Sequence, residues 1–121
     1  MAIDFYEDEN SQIVRLVLRN QSTIEDVQEK LPQLIELISR LDEPRLLIDY
    51  IEDSEKLNPK RRAGVFLLAD QLNENIKKVA ISCAPHLRQD IAYVCEVMQA
   101  RDVPAQCFND IQTADVWLRE N

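Results

Sequence analysis

Three groups of residues are of types that could do chemistry. His86 follows Ser82 and Cys83 within a few positions, so a nucleophile and a base lie close in the chain. A working Ser/His or Cys/His pair also needs an acid to orient the imidazole and donors for the developing oxyanion. No nucleophile elbow, glycine-rich phosphate loop or close carboxylate pair accompanies His86, so the expectation is a protein without enzymatic activity. The second group is the acidic run Glu52-Asp53-Ser54-Glu55. A phosphate on Ser54 would add about two negative charges there, enough to release a bound partner; the plainer reading is a loop serine bonded to its own backbone. The third is Asp49, inside the apolar run of RLLIDY. A carboxylate there sits at the wet end of a strand or has a partner. Lys60, Arg61 or Arg62 would supply an ion pair, and the same trio, most simply a solvated face, could hold an anion at a helix start.

The elements that would position these residues follow from pattern. Ile3 and Phe5 alternate with polar neighbours, and Ile13 to Leu18 is a denser apolar run beyond a polar interval, which predicts an antiparallel hairpin. Ser22 and Glu25 have capping-box spacing. The stripe Ile24, Val27, Leu31, Leu34, Ile35, Ile38, Leu41 then predicts an amphipathic helix, kinked or broken near Pro32. Asp42-Glu43-Pro44 ends it and opens the buried strand from Arg45, which emerges into a polar loop by Ser54.

Asn58 and Pro59 start a helix that is apolar nearly all round through Val65, Phe66, Leu67, Leu68, Ala69 and Leu72, so it should be largely covered. Its Gly64, the single glycine of the chain, suits a close backbone approach. Val79 to Cys83 reads as a second interior strand. Pro85 opens a helix with the stripe Leu87, Ile91, Val94, Cys95, Met98. Val103 to Phe108 is a last strand, placed at an edge or begun by Pro104, and Asn109 or Asp110 caps a closing helix with Ile111, Ala114, Trp117 and Leu118 on one face. Tyr93, Met98 and Trp117 sit at core spacing. The order is ββαβαβαβα: an α/β mixed sheet with an antiparallel first hairpin, then parallel strands joined by right-handed helical crossovers.

Length and charge narrow the function classes. A chain of 121 residues with 45% apolar content is expected to be one domain, residues 1–121. The formal net charge of -8 opposes nucleic acid and anionic membranes. No stretch reaches the roughly 20 apolar residues of a membrane span, and MAIDFYEDEN lacks the marks of a signal peptide, so a cytoplasmic protein is expected. Cys83, Cys95 and Cys107 stand within apolar pattern and read as buried thiols. With one histidine and no close ligand spacing, neither a metal nor another cofactor is expected. Edge strands leave self-association open.

The element order, together with RLLIDY, KKVAIS and the ending CFNDIQTADVWL, resembles the SpoIIAA-like group, the STAS domains and their Sec14-related bacterial relatives. An aromatic residue before an Asn/Asp cap, then Ala and Trp-Leu, carries the likeness: Phe108, Asn109, Asp110, Ala114, Trp117, Leu118. The resemblance implies a non-enzymatic regulatory module that acts by protein-protein contact, as anti-sigma-factor antagonists do. Those carry a phosphorylated serine in a DSSG-type segment; the nearest match is Asp53-Ser54, followed here by Glu55 and Lys56. It also implies an alternative, a lipid or other hydrophobic small molecule held between helices and sheet, against Val65, Phe66, Leu68 and Ala69.

Overall fold

Alternation along the strands decides what each face of the sheet meets. The computed structural model describes residues 3–8, 12–18, 24–50, 67–72 and 76–120. Strands β1 (Ile3–Asp8), β2 (Ile13–Leu18), β3 (Arg45–Tyr50), β4 (Lys78–Cys83) and β5 (Ala105–Phe108) form one sheet in the order β1-β2-β3-β4-β5. β1 runs antiparallel to β2, and β2 to β5 are mutually parallel; the residues joining β1 to β2 lie outside the described ones. On one face Val14, Leu16, Leu46, Ile48, Val79 and Ile81 meet three helices: α1 (Ile24–Ser39), α2 (helical residues 67–72) and α3 (Arg88–Ala100). On the other, Ile13, Leu47 and Ala80 meet Ala114 and Leu118 of α4 (Ile111–Arg119). β3 and β4 are thus covered on both sides, which is why their sequences are apolar without alternation.

α1 runs unbroken through Pro32. The proline removes one intrahelical bond, a loss of about 3 kcal/mol, but it points to solvent while Leu31, Leu34 and Ile38 are buried. At roughly 1.5–3 kcal/mol for each such side chain, burial outweighs it. The cap at Ser22 lies outside the described residues. Within α2, Leu68, Ala69 and Leu72 are buried but Asp70 and Gln71 are exposed, so its described turns have a wet face rather than cover all round. Gly64 is not among the described residues. A 3-10 turn at Pro85–Leu87 precedes α3, and Pro104 stands just before β5, its carbonyl accepting from the Val79 amide at 2.7 Å. β5 is a sheet edge, and the Gln99 side-chain amide donates to the Ala105 carbonyl there at 2.9 Å, occupying one of its acceptors.

The cysteines differ from the expectation of three thiols. Cys95 and Cys107 form a disulfide with Cα atoms 6.7 Å apart, and Cys83 is free and buried. The chain reverses at Arg101, six residues from either cysteine, so the α3 stripe that carries Cys95 folds onto the strand that carries Cys107. That reversal is a Schellman ending: the Val103 amide donates to the Met98 carbonyl and the Asp102 amide to the Gln99 carbonyl, with Asp102 at φ 62°. Asp102→Gly is expected to add about 0.5–1 kcal/mol, since glycine holds that backbone without steric cost. Urea unfolding should show a higher midpoint at unchanged slope; a lower midpoint would contradict the geometry.

α4 starts at Asp110, whose carboxylate accepts from the Thr113 amide at 2.7 Å and from the Thr113 hydroxyl at 3.1 Å. These bonds hold the carboxyl pKa below its ordinary value. The cap's contribution is therefore complete above the unfolded value, about 3.9, and is lost as pH falls through the lower folded value. Asp110→Ala should lower Tm at pH 7, with the difference from wild type shrinking below about pH 4. A difference independent of pH in thermal melts would rule out the charged cap.

Candidate functional site

Among the described residues, a concave surface follows α1, bordered at one end by α2 and at the other by the segment that leads into β3 and by Ile76 and Lys77. Two cavities share Ile35 as a common wall: one of about 390 Å³ between Gln28, Leu31 and Pro32 of α1 and Leu67 and Gln71 of α2, the other of about 590 Å³ reaching from Ile38 and Leu41 to Ile76, Glu43 and Lys77. From Gln28 to Ser39 the cleft follows α1 for roughly 16 Å at about 1.5 Å per residue. Its lining mixes aliphatic side chains, Leu31, Ile35, Ile38 and Ile76, with polar ones that include Ser39 and Asp42. Pro32 adds a polar feature, because the Gln28 carbonyl lacks the residue-32 amide it would otherwise accept. The lower end carries an ion pair, Lys77 Nζ to Glu43 Oε2 at 3.1 Å. Gln12, at φ 61°, pins that end: its side-chain oxygen accepts from the Asp42 amide at 2.9 Å, and its backbone carbonyl from the Arg45 amide at 2.8 Å.

Of the residues expected to meet a hydrophobic ligand, Leu68 and Ala69 are buried in the main core, and it is Leu67 and Gln71 that face the cleft. Val65 and Phe66 lie outside the described residues, as do Asp53, Ser54, Lys60, Arg61 and Arg62.

Asp49 is 2% exposed and pairs with Arg15 on β2, whose Nη2 donates to Asp49 Oδ2 at 2.6 Å. The basic trio Lys60, Arg61 and Arg62, expected from the sequence as a partner of Asp49, lies outside the described residues. The parallel register sets Val17 opposite Asp49, so Arg15 lies diagonally across on the same face. One signal for it was present: Arg15 interrupts an otherwise apolar strand, as Asp49 does. Asp49 pairs in register with Ser82, which is fully buried and donates its hydroxyl to the Asp110 carbonyl at 3.2 Å. This corner ties β2 to β3 and β4 to the start of α4; both polar groups are closed to solvent.

His86 is exposed on the 3-10 turn, and among the described residues no hydrogen bond links it to Ser82 or Cys83. Ser82 and Cys83 point to opposite faces of β4, and burial pushes the Cys83 thiol pKa up against the opposing charge of Arg88, which disfavours the nucleophilic thiolate. Trp117 packs on Phe108 at 5.5 Å and lies under the Lys78 ammonium at 4.6 Å; Lys78 also donates to the Trp117 and Glu120 carbonyls at the end of α4, both at 2.8 Å. Tyr93 packs against the main core, and Met98 is fully buried within it. Among the described residues no group of three or more His, Cys, Asp or Glu is placed to hold a metal, and no helix is long and apolar enough to cross a membrane.

The architecture is that of a SpoIIAA-like fold. The chain is similar to the crystal structure of an uncharacterized protein of the DUF3478 family, with a SpoIIAA-like fold, from Shewanella loihica PV-4: TM-score 0.70, 20% identity, covering 97% of this chain and 92% of that one. No family model and no curated protein matches the sequence.

Proposed function

We propose that this protein is a non-enzymatic binding module whose α1–α2 cleft holds an elongated hydrophobic molecule with a polar end. The pair of cavities sharing Ile35 carries this reading. Each volume falls within the roughly 300–1,000 Å³ of small-molecule sites, and together they line an open groove along α1. Leu31, Ile35 and Leu67 at the α2 end suit the tail, and the Glu43–Lys77 pair at the other offers charged groups to the head. The regulatory-protein reading rests on Glu52 to Glu55 and the basic trio, so no described residue supports it over the cleft.

Native mass spectrometry of freshly purified protein, followed by lipid extraction, is expected to show a co-purifying amphiphile. A fluorescent long-chain fatty acid should bind saturably, and Ile35→Trp, which fills the shared wall, should weaken that binding at least tenfold while leaving Tm nearly unchanged. Absence of both a co-purifying molecule and saturable binding would overturn the proposal.

A further inference from the structure

We infer that the Cys95–Cys107 bond is a reversible redox staple of the β5 edge, with a reduced state that the fold also accommodates. This inference stands apart from the cleft. Three observations carry it. First, the bond joins the middle of α3 to the edge strand across a separation of 12 residues, so opening it removes the covalent tie between them while leaving the parallel ladder to β4 in place. Second, the Cys107 sulfur also lies 3.3 Å from the Ile91 carbonyl. When the bond is reduced, the new S–H therefore has an acceptor at hand, and Cys95, 6% exposed among aliphatics, packs as a small apolar side chain. Third, the remaining cysteine is kept out of exchange: Cys83 is buried, and burial raises its thiol pKa, so little attacking thiolate is present.

The exchange partner is a low-molecular-weight disulfide. Half-buried Cys107, as thiolate, attacks one sulfur of the small disulfide, forming a mixed disulfide and expelling one small thiolate. The Cys95 thiolate then attacks the Cys107 sulfur, closes the protein bond and expels the second. The two protons given up by the protein thiols end on the two small thiols, so the protein is oxidised by two electrons and the small disulfide is reduced by two.

The consequence is confined to one edge of the sheet. In the reduced state β5 is held by its ladder to β4 and by the Gln99–Ala105 bond, and its outer edge opens more readily to pairing with a second strand.

The test is a titration in glutathione buffers of graded ratio, with acid quench, alkylation and peptide mapping. The expected result is one transition between Cys95/Cys107 dithiol and disulfide, with Cys83 unalkylated in the native protein throughout. The far-UV circular dichroism should be nearly the same at both ends, and Tm should be higher in the oxidised form, by on the order of 10 °C. Cys107→Ser should abolish the Tm difference and Cys83→Ala should retain it; if either variant fails to fold, the wild-type mapping decides alone. Overturning results are a dithiol that persists in excess oxidised glutathione, a disulfide that reduces only when the protein unfolds, or pairing that includes Cys83.

Discussion

Replacing Leu118 by alanine is expected to cost about 3 kcal/mol, the middle of the range for deleting a fully buried leucine side chain, and to lower Tm by roughly 10 °C. Leu118 is fully buried in a small cluster with Ile13, Leu47, Ala80 and Ala114. The main core can relax around a deletion with neighbours on three helices; this thin layer cannot. Trp117, the single tryptophan of the chain, stands beside the change and reports it. Its emission should shift to the red in Leu118→Ala, and its unfolding transition should precede that of far-UV circular dichroism if α4 loosens first. A loss below about 1 kcal/mol, small beside what a buried leucine usually costs, would mean that α4 is held chiefly by its Asp110 cap and the Lys78 contacts.

The second large effect is expected at the Arg15–Asp49 pair. Removing one partner of a buried pair typically costs about 3–5 kcal/mol, because the charge left behind stays in a poorly polarisable setting. The Arg15 side chain is 43% exposed while that of Asp49 is 3% exposed, so water can reach part of the vacated space. Arg15→Met should therefore cost less, about 2 kcal/mol. The double variant Arg15→Met, Asp49→Leu should recover most of that loss, since an apolar pair of similar size carries no desolvation penalty. Denaturant unfolding of the four proteins in the cycle gives the coupling. Additive losses would show that the two side chains act independently despite their 2.6 Å contact.

Much of the architecture was legible because local pattern and burial agree. Leu46-Leu47-Ile48 and Val79-Ala80-Ile81 are apolar on both sides and proved to be the doubly covered strands. The order of elements, the extended α1 stripe and the Asp110 cap could likewise be read from spacing. What was not legible depended on register between strands or on where a helix lies over the sheet. The contact of Asp49 with Arg15, 34 positions upstream, was not legible because it is specified by the β2–β3 register. The disulfide was missed because Cys95 and Cys107 are each consistent with apolar pattern, and only the reversal at Arg101 superposes them. The cleft was expected from α2's apolar side, yet Leu68 and Ala69 went to the core and Leu67 and Gln71 to the groove. A helix nearly uniform in hydrophobicity does not say which of its faces turns inward.

Strand order has a consequence for how this chain reaches its native state. The strands lie across the sheet in the order in which they occur along the chain, so no strand inserts between two that precede it. As synthesis proceeds, each new strand adds to a free edge already present, and the partly built sheet never has to open to admit a later one. A vectorial, edge-by-edge assembly is therefore available from the N-terminus onward, with sequence neighbours meeting first and the closure entropy of each step limited to one crossover.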